Sequence, residues 1–148
     1  MLINLNNLIE KYKINLNGVI HVGANNGDEI GLYNSLGVKN LVYFEPNKNS
    51  ISILNPKVHL NIHPEVTFNE KTYVEMKRLD DLDFDKSHYN FINADVQGYE
   101  LEVFKGSENT LTTIDYIYAE VNRDQVYENN ALVEEVDEYL AKFNFTRV

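Results

Sequence analysis

The sequence predicts an α/β domain, a mostly parallel sheet with helices on its flanks. Three observations lead there. Short apolar runs at 19–22, 41–44, 91–94 and 116–119 have the length and continuity of strands buried on both faces. Segments of helical periodicity alternate with these runs, and that order implies crossover helices between parallel strands. Each run ends on glycine or an acidic residue, Gly23, Glu45, Asp95 or Glu120, where a strand gives way to a turn.

The elements follow in order. Leu5, Leu8, Ile9 and Tyr12 fall on one face of a helix. Gly18 opens the strand Val19-Ile20-His21-Val22, and Gly23 closes it. Residues 26–36 suit a helix, with Gly37 placed as its C-terminal stop. Leu41-Val42-Tyr43-Phe44 is a second strand, ended by Glu45-Pro46 because proline cannot donate to a ladder. The stretch from Asn47 to Glu65 holds two prolines and only a weak helical pattern. Residues 72–79 alternate like a half-exposed strand, and Asp80-Asp81-Leu82-Asp83 reads as a turn or short helix start. Phe91-Ile92-Asn93-Ala94 is a strand, 99–105 a helix stopped by Gly106, and Tyr116-Ile117-Tyr118-Ala119 a strand. Leu132, Val133, Val136, Tyr139, Leu140 and Phe143 form the clearest amphipathic stripe, and 145–148 begin another strand.

Bulk properties narrow the function classes. The 148 residues are expected to form one domain, 1–148. A net charge of -10 repels phosphate backbones, which argues against a broad nucleic-acid surface. The chain has no cysteine, so it has neither disulfides nor thiolate metal sites, in keeping with a reducing compartment. No basic leader precedes an apolar run, and nothing approaches the ~20 apolar residues that span a bilayer. A soluble cytoplasmic protein without membrane partners is expected.

Three constellations bear chemistry. In His21-Val22-Gly23-Ala24-Asn25-Asn26-Gly27 a buried strand runs into a glycine turn and then a helix, whose free N–H groups suit an anionic or polar ligand. This is the nucleotide-binding corner of a Rossmann-like sheet, and the alternative is a tight turn with no ligand. Glu45 ends the next strand about 20 residues on, where an acidic side chain can accept from ribose hydroxyls. Asp95-Val96-Gln97-Gly98-Tyr99-Glu100 follows a third strand; Asp95 lies where ligands of open α/β sheets collect. Glu120 ends the fourth strand and could face the same crevice, so that the pair could act as a base, anchor a substrate or hold a metal. Glu100 reads as structural, favoured in a first helical turn. His59 and His63 sit four apart, but Pro64 and poor helical context disfavour a metal there, so no metal site is assigned.

Together these segments resemble the FkbM family of S-adenosylmethionine-dependent methyltransferases. The resemblance lies in Val22-Gly23-Ala24-Asn25-Asn26-Gly27, Phe44-Glu45-Pro46-Asn47, the stretch from Phe91 to Gly106, and Tyr118-Ala119-Glu120-Val121-Asn122. It implies a fold like that of class I methyltransferases and O-methylation of a hydroxyl on a sugar or other small metabolite. S-adenosylmethionine would be held by His21, Gly23, Ala24, Asn25 and Gly27 along its methionine part, by Glu45 at the ribose, and near Asp95 at the methyl. Asp95 and Glu120 would be catalytic. Three features depart from the family pattern. His21 replaces an acidic residue, the segment after Asn47 is short, and the chain stops where further strands are expected. An internally deleted and truncated, incomplete sheet is therefore expected, with an open strand edge that favours a homo-oligomer. Two other functions fit parts of the pattern. One is a non-catalytic Rossmann-like remnant used in binding or assembly. The other is an NAD-dependent oxidoreductase, disfavoured because the glycine turn lacks the G-x-G-x-x-G spacing a pyrophosphate needs.

Overall fold

A computed structural model describes residues 4–24, 27, 29–44, 77–127 and 130–148. Four strands, β1 (Gly18–Val22), β2 (Asn40–Phe44), β3 (Phe91–Ala94) and β4 (Tyr116–Ala119), form one parallel sheet in the order β2-β1-β3-β4. The helices are α1 (Leu5–Tyr12), α2 (Ile30–Ser35), α3 (Glu100–Lys105), α4 (Glu108–Leu111) and α5 (Val133–Ala141), with 3-10 turns at Leu79–Asp81 and Lys86–His88. This is the expected α/β, Rossmann-like architecture. Among the described residues no helix is long and apolar enough to cross a membrane.

Strand alternation assigns each residue to one of two packed faces. Ile20, Ile92 and Ala94 face one way, onto Leu79, Phe104, Leu111 and Val136, so α3, α4 and α5 cover that side. Val19 and Phe91 face the other, with Leu41, Tyr43, Tyr116 and Tyr118 packed around them, beneath Leu5 and Ile9 of α1 and Tyr33 of α2. Burial on both faces explains why these strands read as continuous apolar runs.

Local signals set most helix ends. Asn4 Oδ1 accepts from Asn7 N at 3.2 Å and caps α1, and Lys13 in the left-handed region ends it. Gly37 (φ 73°) ends α2 as expected. Glu135 Oε2 accepts from Leu132 N at 2.8 Å at the start of α5. α4 was not expected from the sequence. Its first turn is held from a distance by Asp80, which accepts from Asn109 N at 2.8 Å and Thr110 N at 3.0 Å.

Two expectations are corrected. Leu79 does not end a strand; it begins a 3-10 turn and is buried in the core. Residues 145–148 are not a strand either. Asn144 turns left-handed (φ 66°), and Phe145 N bonds back to Leu140 O at 3.2 Å, so Phe145 packs as the stop of α5 and joins no ladder. The shortened segment after Asn47, the His59–His63 pair and the rest of 45–76 lie outside the described residues.

One row of the sheet is polar. Register aligns Tyr43, His21, Asn93 and Tyr118 across the four strands. Tyr33, fully buried at 0% exposure, accepts from Asn93 Nδ2 at 2.8 Å through its hydroxyl, which lies 3.5 Å from His21 Nδ1. Tyr33→Phe should lower folding stability by about 1–3 kcal/mol, because it strands a buried amide N–H. Urea unfolding of the two proteins measures this; an unchanged midpoint would show that the hydroxyl satisfies nothing of consequence.

Candidate functional site

The strand order places a topological switch point between β1 and β3, since the chain leaves β1 for β2 on one side and returns to β3 on the other. Ligands of open α/β sheets bind in the crevice at such a point, beyond the carboxyl ends of the strands. Val22, Ala94 and Ala119 stand in one register row. The residues that follow them, Gly23, Asp95 and Glu120, continue it. Gly23 N donates to Phe44 O at 2.8 Å, Asp95 N to Val22 O at 3.0 Å and Glu120 N to Ala94 O at 3.1 Å. The sheet thus brings together three of the residues singled out from sequence.

Gly23 is required twice over. Its φ is 83°, and a Cβ built on it would collide with the carbonyl oxygen of Asp95. The turn then closes with Gly27 N donating to Ala24 O at 2.6 Å, and Gly27 is itself left-handed at 74°. Ala24 is buried. Asn25 and Glu45 lie outside the described residues. His21 sits below the cleft, buried between the rings of Tyr33 and Tyr43, with Nδ1 4.0 Å from Glu29 Oε2.

A cleft of about 340 Å³ opens over this row, within the size range of small-molecule sites. Asn93 and Tyr118 belong to its floor, Asp95 and Glu120 to its edge, and Asn4, Leu5 and Glu29 complete the lining. Among the described lining residues three of seven are carboxylates and none is Lys, Arg or His. The helix after the glycine turn was expected to offer N–H groups to an anionic or polar ligand; Glu29, at the start of α2, lines the cleft there. Glu29, Asn93 and Tyr118 were not found as site residues from sequence. The only signal for the last two was polar residues at matching positions inside apolar strands. Among the described residues no three His, Asp or Glu side chains converge to hold a metal ion.

Burial, and then the charge of Asp95 and a hydrogen bond with it, hold the Glu120 carboxyl above its ordinary value. Burial first, and then the charges of Glu120, Asp95 and Glu29, raise the Tyr118 phenol. Beneath the loop after β3, Glu100 is 1% exposed and accepts from Val96 N and Gly98 N, both at 3.1 Å. Burial outweighs these bonds and raises its carboxyl too.

Comparison with known proteins gives a consistent answer. The model of the methyltransferase FkbM domain matches residues 63–146, more than half of the chain. The chain belongs to the FkbM methyltransferase family. The matched span contains Asp95, Glu100 and Glu120, while the glycine turn precedes it. A 2-O-methyltransferase, NoeI of Sinorhizobium fredii (strain NBRC 101917 / NGR234), is 34% identical over 94 residues, which are 62% of this chain and 39% of that relative. The aligned region thus spans about two fifths of the length of that relative. No solved structure matches the chain.

The raised carboxyls of Glu120 and Glu100 predict a pH dependence. The folded chain binds these protons more tightly than the unfolded one, so stability is highest at low pH on their account. It is lost as pH rises from the ordinary value of 4.5 through the raised values. Glu120→Gln should flatten that decline. Urea midpoints measured from pH 4 to 8 on both proteins check this, and an identical slope would show that Glu120 titrates normally.

Proposed function

We propose that residues 1–148 act as one S-adenosylmethionine-dependent methyltransferase domain, transferring a methyl group to a hydroxyl of a sugar or other small metabolite. The observation that carries the reading is the juxtaposition of Asp95 and Glu120 at the edge of a small-molecule cleft, at the switch point of a methyltransferase-family sheet. The donor set suits this cofactor, whose sulfonium and ammonium outweigh its one carboxylate and leave it net positive. Among its described lining residues the cleft offers Glu29, Asp95 and Glu120 and no Lys or Arg. The Gly23–Gly27 turn would border its methionine part, and Glu45 would take its ribose.

When bound, the cofactor supplies an electrophilic methyl group. The protein's own part is positioning and proton management. Asn93 and Tyr118 orient an acceptor hydroxyl from the floor, and holding it in line is a large share of the catalysis such a site can give. Asp95 takes the hydroxyl proton as the new bond forms and releases it to water as the product leaves, beside Glu120, whose carboxyl is raised by burial and by the charge of Asp95. The three acids among the described lining residues favour neutral, hydroxyl-rich acceptors over phosphorylated or carboxylated ones. The 2-O-methyltransferase relative supports a hydroxyl acceptor, small molecule or glycan. The cysteine-free sequence supports placing this chemistry in the cytoplasm.

Titration calorimetry with S-adenosylhomocysteine and with NAD separates this reading from an oxidoreductase and from a remnant. Binding of the first alone is expected. Asp95→Asn should retain fold and S-adenosylhomocysteine affinity and lose about 10²–10⁴-fold in turnover. Intact turnover in that variant would end the assignment of Asp95 as base.

A further inference from the structure

Asp95 stands on a loop whose shape is fixed from three sides. Underneath, the buried Glu100 carboxylate closes on the backbone N–H groups of Val96 and Gly98. Within the loop, Gln97 (φ 54°) and Gly98 (φ 99°) are both left-handed, and this is uncommon backbone for a glutamine. Behind it, a Cβ on Gly98 would lie 2.7 Å from Asn130 Cβ and 3.3 Å from Tyr127 Cδ2, so this later part of the chain packs directly against the turn. Asn130 Oδ1 in turn accepts from Tyr127 N at 3.0 Å.

The left-handed turn directs the Gln97 side chain back over Asp95. Gln97 Nε2 donates to Asp95 Oδ1 at 2.8 Å, and Tyr127 Oη donates to Gln97 Oε1 at 2.7 Å. The NH₂ end of the amide donates to the carboxyl oxygen of Asp95, and its oxygen accepts from the phenol. Burial, and then the charges of Glu120, Asp95 and Glu100, raise the Tyr127 phenol, so it keeps the proton it donates.

We propose that Gln97 and Tyr127 are positioning residues for Asp95. The phenol fixes the amide, and the amide holds the Asp95 carboxylate at the cleft edge and leaves the proton shared by the carboxylate pair to Glu120. The catalytic meaning of this arrangement rests on the reading of Asp95 as the base; the arrangement itself does not. Either carboxylate of a close pair could take the proton. A donor aimed at one of them decides which, and so decides which is ready to accept from a hydroxyl. Among the described residues the charged and titratable groups around Asp95 are Glu29 at the start of α2, Glu100 on α3, Tyr118 and Glu120 on and after β4, and Tyr127.

The test needs neither cofactor nor acceptor. Side-chain carboxyl ¹³C resonances of Asp and Glu are titrated by NMR in the full chain, in Tyr127→Phe and in Gln97→Gly. Phenylalanine keeps the buried ring, and glycine accepts the left-handed backbone without strain. Both variants should keep the far-UV circular dichroism of the parent. In both, the Asp95 midpoint should rise by about half to one pH unit, the size of one lost hydrogen bond to the charged form. The Glu120 midpoint should fall as the pair redistributes its proton. An Asp95 titration unchanged in both variants overturns the proposal. That outcome is separate from the fate of the base assignment, which Asp95→Asn turnover decides.

Discussion

The close approach of β1 and β3 at Gly23 is the constraint on which this molecule's site depends. The carbonyl of Asp95 occupies the space a side chain at position 23 would need, while Asp95 N bonds to Val22 O. Any side chain there would push apart the two strands that flank the switch point, and with them the row Gly23, Asp95 and Glu120. Parallel pairing does the rest. Once Val22, Ala94 and Ala119 are in register, the next residue of each chain segment is delivered to the same edge. Two acids distant in sequence become neighbours without any direct sequence relation between them.

Electrostatics then give the edge its character. Three carboxylates line a small cleft with no Lys or Arg among its described residues, and burial, then the charge of Asp95, raises the Glu120 carboxyl. An acidic site of this kind loses little by admitting a positively charged ligand and much by admitting a negative one. Such a lining is a poor match for a pyrophosphate, in agreement with the glycine spacing. The family match covers Asp95 and Glu120, while Glu29 and the glycine turn precede it.

The strands were legible because burial on both faces leaves no room for polar alternation, so four apolar runs stood out. Their strand-end residues Gly23, Asp95 and Glu120 were legible for the same reason. What sequence could not supply was anything set by register or by distant contacts. Asn93 and Tyr118 line the cleft only because they fall in the same row as His21. Glu29 does so because α2 begins later than residue 26. α4 contains Asn109 and Thr110, poor helix formers, and exists because Asp80, some thirty residues earlier, caps it. The strand expected at 145–148 read an apolar residue as ladder, where Phe145 is a plug at a helix stop. The link from Tyr127 to Gln97 joins segments thirty residues apart and leaves no local signature.

The polar layer beneath the cleft has a consequence for folding as well. Parallel sheets made of uniform apolar strands have little to tell one alignment from the next. A slip of one residue turns every side chain to the opposite face. Here such a slip in β3 would carry Asn93 away from Tyr33 and into the apolar packing of Phe104 and Leu111, where its amide would meet no partner of its own kind. His21 in β1 would lose the Tyr33 hydroxyl by the same movement. Tyr33, reaching down from α2, therefore reads the alignment of two strands at once, and the misaligned sheet is penalised at two buried positions instead of one.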